Sequence, residues 1–334
     1  MKDESHARRF GVAHGHRHGH GHEVRHLAEV DRRKFLQIAG LGTGLAFLGN
    51  LVALEEATSA ATTLAGFSKF ADTVKVTKGS TYYLVESSGL PAHAMMAGIK
   101  SWQQQVPTPQ PYSGNNAWSI PVKPVISKSP LSAKNHFLRG AIAIAVNGVP
   151  IFNALNNRGD DAYLVGELDD WGGHCGRADD YHYHIAPLHL KSIVGRKVPI
   201  AYALDGFPIY GDTETDGKAV KGLDEFNGHY DAKKNYHYHG TKKYPYINGG
   251  FKGVVVEKDG QVDPQAATRP FRPAGEPLRG ASISSCERTG ENSYDLTYLL
   301  NGANYHIKYS ATLSEVQMEF IDSTGTSRFE TYRR

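Results

Sequence analysis

Six histidines occur in two sets with the same spacing, and this spacing is suited to holding metal ions. The first histidine set is His174, His182 and His184, and the second histidine set is His229, His237 and His239. In each set a Gly-His pair precedes a Tyr-His-Tyr-His tetrapeptide. Alternate side chains of a β-strand share a face, so the two tetrapeptide histidines point to the same side. Together with the earlier histidine they predict a three-nitrogen metal site.

The ligand types limit which metals such a site would take. Three protein ligands with an open position are typical of catalytic rather than structural sites. Imidazole-rich ligation suits zinc, copper, iron or nickel, and a carboxylate ligand moves the preference towards iron or manganese. Asp169, Asp170 and Asp224 are candidate carboxylates, either as ligands or as partners that orient an imidazole. We therefore expect a transition metal, namely zinc, copper, iron or manganese.

The same residues allow a structural interpretation. Histidines on a strand face are often core residues, so the alternative to metal binding is a hydrogen-bond network that locks the repeats together. Tyr181, Tyr183, Tyr236 and Tyr238 are expected to pack in the core with their hydroxyls hydrogen-bonded. Each set could build its own site, or the two tetrapeptide strands could share one. Because both follow the same type of hairpin, the sequence favours a shared or neighbouring arrangement.

An internal duplication carries the two histidine sets. The segment LDDWGGHCGRADDYHYH aligns without a gap to LDEFNGHYDAKKNYHYH, 55 residues later. Before each segment, an apolar run, a turn pair and a second apolar run predict a β-hairpin, with Asn147-Gly148 and Asp205-Gly206 as two-residue turns. The repeats span residues 142–186 and 200–241.

Alternating apolar and polar residues predict strands through most of the chain after residue 70. We expect a mainly β fold, either a β-sandwich or a barrel-like domain, with the internal duplication and long loops. The predicted organisation is an export signal with a His-rich leader at 1–61, a domain with the two repeats at 62–270, and a C-terminal β extension at 271–334. Within that extension the turns predict a hairpin or three strands.

The N-terminal segment is typical of a twin-arginine export signal. Arg32-Arg33 precedes a moderately apolar, glycine-containing run from Ile38 to Leu54, and small residues follow up to Ala61. We expect a periplasmic or extracellular protein that uses the twin-arginine translocation machinery. The alternative is an uncleaved membrane anchor, for which about 17 residues is a marginal length.

Composition and cysteine content exclude several classes of protein. The formal net charge is +3 with dispersed basic residues, so nucleic acid is not an expected partner. The chain has neither a phosphate-binding glycine loop after residue 61 nor a G-x-S-x-G nucleophile motif. Cys175 and Cys286 form a disulfide, or Cys175 is a free thiol or a metal ligand.

Several ordered motifs resemble the YHYH-domain family of exported proteins, over about residues 72–255. The resemblance implies export but no particular activity. This chain has Phe226 and Gly250 where many family members have cysteines, so it lacks that pair. The motifs are SSGLPAHAMM (87–96), IAIAVNGVPIFNA (142–154), GRADDYHYHIAP (176–187), IAYALDGFPIYG (200–211), LDEFNGHY (223–230) and KKYPYINGGFKG (242–253).

Two functions follow from these observations. The first is an exported transition-metal-binding protein that acts as a metal-dependent hydrolase or oxidoreductase. The second is a non-enzymatic surface or periplasmic binding module, in which the histidines and tyrosines are structural and an aromatic rim binds the partner. The rim would consist of Trp102, Trp118, Trp171, Tyr244 and Tyr246.

Overall fold

The computed structural model describes residues 64–334, and its first part forms a small antiparallel sheet followed by one longer strand. Strand β1 pairs with β2 around the Lys78-Gly79 turn, and β2 pairs with β3. The elements of this part are the 3-10 helices Phe67–Phe70 and Gly114–Asn116 and the strands β1 (Lys75–Lys78), β2 (Tyr82–Glu86), β3 (Trp118–Pro121) and β4 (Ile126–Ser132).

The central eight-stranded sheet contains both repeats. Its order is β11-β12-β10-β9-β5-β6-β8-β7, so each repeat occupies one half of the sheet. The helix α1 (Leu190–Val194) lies between the repeats in the chain. The strands are β5 (Ala141–Ala145), β6 (Pro150–Phe152), β7 (Gly173–Cys175), β8 (Tyr181–Tyr183), β9 (Ala201–Ala203), β10 (Pro208–Tyr210), β11 (Gly228–Tyr230) and β12 (Tyr236–His239).

The repeats meet at the centre of this sheet and extend outwards from it. Strands β5 and β9 pair antiparallel, and every residue of both strands is buried. Strands that are buried along their whole length are suited to the middle of a sheet that is covered on both faces. Outside each hairpin, the tetrapeptide strand adds in parallel, with Ile151 opposite Tyr183 and Ile209 opposite Tyr238. The Gly-His strand then adds antiparallel at the edge.

The two hairpins have longer turns than the sequence predicted. Gly148 N donates to Ala145 O, and Ala145 N donates to Val149 O, so the loop contains three residues. Gly148 has a φ of 81°, whereas Asn147 is not among the positive-φ residues. This is a type I turn followed by a left-handed glycine, and the second hairpin has the same hydrogen bonds. The prediction of two-residue turns was wrong because only the glycine, and not the residue before it, has positive φ.

The last part of the chain adds two small strand pairs and a five-stranded antiparallel meander. Strand β13 pairs with β4, and β14 pairs with β15. The meander β16-β17-β18-β19-β20 has more strands than the hairpin or three strands predicted. The strands are β13 (Gly250–Gly253), β14 (Val256–Lys258), β15 (Gln261–Asp263), β16 (Ser282–Arg288), β17 (Ser293–Leu300), β18 (Ala303–Ala311), β19 (Glu315–Ile321) and β20 (Ser327–Arg333).

The meander packs against the preceding part of the chain through backbone hydrogen bonds and apolar contacts. Ile283 accepts a hydrogen bond from Gly98 N at 2.9 Å and donates one to Ile99 O at 3.0 Å. The rings of Trp102 and Tyr298 lie 5.0 Å apart between centroids. One hydrophobic core therefore continues from the central sheet to the buried face of the meander.

The predicted mainly β, sandwich-like class is confirmed, and no sheet within residues 64–334 closes into a barrel. None of the described helices is long and apolar enough to cross a membrane. The predicted export signal and His-rich leader at 1–61 lie outside the described residues. The boundary between the two predicted domains, near residue 270, stays a prediction.

Candidate metal centres

The first histidine set converges on a single point at one edge of the central sheet. His174 on β7 lies opposite His182 on β8, and His184 follows β8 on the same side. The Nε2 atom of His184 lies 3.0 Å from Nε2 of His174 and 3.1 Å from Nε2 of His182. An ion with metal–nitrogen bonds of about 2.0–2.1 Å in tetrahedral geometry separates its nitrogen ligands by about 3.3 Å. The three nitrogens therefore already have nearly the spacing of a metal site.

Backbone carbonyls fix the orientation of these three rings. His182 Nδ1 donates to Asp180 O at 3.0 Å, and His184 Nδ1 donates to Asn153 O at 2.5 Å. His174 makes its hydrogen bond to the backbone of Glu167. A neutral imidazole that donates from Nδ1 has only a lone pair on Nε2. The Nε2 lone pairs of His182 and His184 therefore face each other without a proton between them, which is the electronic arrangement of two metal ligands.

The second histidine set repeats this geometry at the opposite edge of the sheet. His237 Nε2 lies 3.0 Å from Nε2 of His229 and 3.1 Å from Nε2 of His239. His229 Nδ1 donates to Lys221 O at 3.0 Å and His239 Nδ1 to Gly211 O at 2.7 Å, while His237 is hydrogen-bonded to the backbone of Asn235. The duplicated sequence thus builds the same three-nitrogen arrangement twice.

A carboxylate completes the second histidine set but not the first. Glu214 Oε1 lies 3.4 Å from His229 Nε2, and Oε2 lies 3.7 Å from His239 Nε2. Counted from the paired hairpins, 58 residues apart, the matching position in the first repeat is Asn156. Sequence reasoning missed Glu214 because it lies in the variable loop after the hairpin. The Asn-to-Glu difference at this aligned loop position was the available signal.

The carboxylates named from the sequence have another task. Asp169 accepts a hydrogen bond from the Tyr181 hydroxyl at 2.8 Å, and Asp224 accepts one from the Tyr236 hydroxyl at 2.9 Å. Each also accepts from backbone N–H groups of the Gly-His turn. Asp170 is exposed and is absent from both candidate ligand groups. Asp169 and Asp224 therefore position the tetrapeptide tyrosines rather than the imidazoles.

Burial favours the neutral form of four of these imidazoles, those of His174, His184, His237 and His239. It lowers the pKa of His184 to about 3, and the neighbouring His182 ring acts in the same direction. Burial also lowers the pKa of His174 well below its usual value, and it lowers the pKa of His237 and His239. Since a neutral imidazole is the form that binds a metal, these environments favour ligation at neutral pH.

The two sets form two sites, which corrects the shared or neighbouring arrangement favoured by the sequence. Strands β8 and β12 have four strands between them, a separation of about 24 Å at the usual strand spacing. The physical reason is that the hairpins pair with each other at the centre, so each tetrapeptide strand can only add on the outer side. Similar hairpins therefore direct the two sites to opposite edges.

A cavity of about 600 Å³ adjoins the first histidine set. All three imidazoles line it, and so do Arg139 and Arg177, which are exposed. These two arginines make no ion pair within residues 64–334, whereas Arg158 and Arg272, which also line the cavity, are paired with carboxylates. The first set is therefore reachable by a small molecule.

The other residues singled out in the sequence do not belong to either ligand group. Trp102 and Trp118 are only 3% and 2% exposed, and Tyr246 is buried as well. The predicted aromatic rim is therefore wrong, because three of its five members belong to the core. Cys175 and Cys286 are free and buried, so the structure contains no disulfide between them and no thiol in either ligand group.

One protein family matches part of the chain. A family model described as "YHYH protein" matches residues 117–221. This range contains the first histidine set and the second hairpin, and it ends before the second histidine set. The family resemblance of the sequence is confirmed over these residues. No curated protein and no solved structure matches the chain.

Proposed function

Because the chain carries a YHYH domain, we propose that this protein is exported and binds two transition-metal ions, one at each histidine set. The observation that carries the proposal is the convergence of three imidazoles in each repeat, where one Nε2 atom lies 3.0–3.1 Å from the Nε2 atoms of the other two. Convergence at hydrogen-bond distance without available protons is unfavourable unless a cation lies between the nitrogens.

A purely structural hydrogen-bond network accounts for this geometry less well. Each neutral ring has one N–H, and in two of the three rings of each set that proton is directed from Nδ1 at a backbone carbonyl. His182 and His184 both donate in this way, so a bond between their Nε2 atoms, 3.1 Å apart, would need an additional proton and therefore a charged, buried imidazolium. A bound metal satisfies all three lone pairs at once and leaves the carbonyl bonds in place.

The expected metals follow from the ligands. Three imidazoles suit zinc, copper or iron, and the added carboxylate of Glu214 moves the second site towards iron or manganese. An ion held by three imidazoles with an open position supports metal-assisted hydrolysis or redox chemistry. Export through the twin-arginine machinery fits this function, because a chain that folds before export can acquire its metal inside the cell.

Metal content of matched variants tests the proposal. The full chain, purified without an affinity tag, should contain about two more equivalents of metal than a variant in which all six histidines of the two sets are alanine. His182→Ala/His184→Ala and His237→Ala/His239→Ala should each lose about one equivalent.

The His-rich leader is the same in every uncleaved variant, so the metal that it binds cancels in the comparison. His306→Ala is the control, because His306 lies on β18, outside both ligand groups. Equal metal content in all variants would refute the proposal.

A further inference from the structure

The two histidine sets differ in one ligand, and this difference indicates different tasks. The second set has Glu214 as a fourth candidate ligand, whereas the aligned residue of the first set is Asn156. Structural metal sites have their coordination positions filled by protein, and reactive sites keep one open. The duplication thus provides an internal comparison between a closed and an open site.

Asn156 cannot take the place of Glu214, because both ends of its amide are already used. Its Oδ1 accepts hydrogen bonds from the backbone N–H of Arg158 at 2.9 Å and of Asp160 at 3.0 Å. Its Nδ2 lies 3.3 Å from both carboxylate oxygens of Glu167, which is itself paired with Arg158. The first set therefore has no fourth protein ligand within residues 64–334.

The open side of the first set faces the cavity of about 600 Å³. A divalent ion on three neutral imidazoles retains its full charge there, whereas Glu214 neutralises part of that charge in the second set. Arg139 and Arg177 add positive charge to the cavity wall without forming an ion pair in the described chain. Of the acidic side chains that line the cavity, Glu167 is paired with Arg158, and Asp180 lies 3.4 Å from His182 Nδ1. The surplus charge at the open position is therefore positive.

We propose that the first histidine set is the reactive centre, where a small anionic ligand completes the metal's coordination, and that the second set is a closed, structural centre. This inference rests on the proposed metal binding. The ligand class is a small molecule with a carboxylate, phosphate or similar oxyanion group, held by the metal at one end and by Arg139 and Arg177 on the cavity wall. The cavity volume is suited to a ligand of metabolite size.

Cobalt(II) loading and azide titration test this division. The visible absorption of bound cobalt(II) depends on its ligands. Azide is a small anion that can bind to the metal where a coordination position is open. The full chain with His237→Ala/His239→Ala retains only the first set, and the chain with His182→Ala/His184→Ala retains only the second. Azide should change the cobalt spectrum of the first-set protein and leave the second-set protein nearly unchanged.

Single substitutions provide the matched controls. Glu214→Asn in the second-set protein should create an azide response, since the backbone of Glu214 and Asn156 makes the same loop hydrogen bonds. In the first-set protein, Arg177→Ala should weaken azide binding about fivefold through the lost positive charge. Arg279→Ala, another exposed arginine outside the cavity lining, should have no effect.

The outcomes separate the inference from the metal proposal. Cobalt bound in both proteins with an equal azide response, or a response only in the second-set protein, would overturn the division of tasks alone. Cobalt bound by neither protein beyond the amount that the six-alanine variant binds, with both variants folded by circular dichroism, would overturn the metal proposal and this inference with it. The same titration on the unsubstituted chain provides a second measurement in case a double variant fails to fold. In that chain, azide should change only about half of the cobalt absorption.

Discussion

At the scale of single residues, the tetrapeptide divides its side chains between the proposed metal ligation and support. The histidines turn Nδ1 to the backbone and Nε2 to the common point. The tyrosines point to the other face, where the second tyrosine of each repeat contacts the turn residue of its hairpin. Tyr183 accepts a hydrogen bond from Asn147 Nδ2 at 3.0 Å, and Tyr238 donates to Asp205 Oδ2 at 2.5 Å. The expected core packing and hydrogen bonding of the tyrosines is therefore observed.

Asp205 gives a pH prediction at this scale. Burial raises the pKa of this carboxyl from 3.8 to about 6. Between these pH values the folded protein holds a proton that the unfolded chain has released, so the stability that the proton provides is lost as the pH rises. Unfolding by denaturant should therefore show a contribution from Asp205 that falls by about 2 kcal/mol between pH 4 and pH 7.

Asp205→Asn is the matched variant, since Asn147 occupies the equivalent position in the first repeat. The buried histidines act in the opposite direction, because their lowered pKa values make the folded state lose stability as the pH falls. The same histidines are present in both proteins, so their contribution cancels when the stability of the variant is subtracted from that of the wild type. Identical pH profiles of wild type and Asp205→Asn would contradict the prediction.

At the scale of elements, the glycine of each Gly-His pair allows the edge hairpin to close. A Cβ on Gly173 would lie 2.5 Å from the Tyr181 hydroxyl, and one on Gly228 would lie 2.1 Å from the Tyr236 hydroxyl. Each tyrosine crosses over its glycine to reach the aspartate of the turn. The aspartate, glycine, histidine and first tyrosine of the repeat are thus parts of one local structure that places the first ligand.

Gly228→Ala should therefore disturb the second histidine set alone. The added methyl group must displace Tyr236 from Asp224, which we expect to cost about 1–3 kcal/mol of unfolding free energy and to weaken metal binding at that set. Gly290→Ala is the control, because its Cβ would meet only Ser293 at 3.4 Å. Thermal unfolding and metal content measure both effects. Loss of about one metal equivalent is expected, and unchanged content and stability would count against this role of the glycine.

The sequence predicted the elements better than their arrangement. The hairpins and the shared face of His182 and His184 follow from local patterns of two to five residues. Period-2 alternation does not show on which side of a hairpin the next strand adds, so the separation of the two sites could not be predicted. For Glu214 the aligned Asn-to-Glu difference marked the position, but the conformation of the loop decides whether a loop residue becomes a candidate ligand.

At the scale of the whole molecule, the central sheet holds two similar sites at its two edges. Sites about 24 Å apart, with no shared side chains, are expected to act independently. The fold therefore allows one site to serve stability and the other to serve binding or catalysis. The core that links them consists of the fully buried β5 and β9.

Metal removal should accordingly destabilise the protein in two additive steps. A ligand present at 1,000 times its dissociation constant stabilises the folded state by about 4 kcal/mol. We expect a strong chelator to lower the unfolding free energy by about this amount for each filled site. The His182→Ala/His184→Ala variant should show about half of the chelator effect, measured by denaturant unfolding. A variant whose chelator effect equals that of the wild type would show that the first set contributes no bound metal.

The most direct test of the central claim is anomalous X-ray diffraction from crystals of the metal-loaded protein, recorded on both sides of the metal absorption edge. We expect two anomalous peaks, each about 2.0–2.1 Å from the three Nε2 atoms of one histidine set. Glu214 should lie within bonding distance of the second peak only. The absence of any peak at either set, in crystals grown with excess metal, would contradict the account and would make the repeated histidines a structural network.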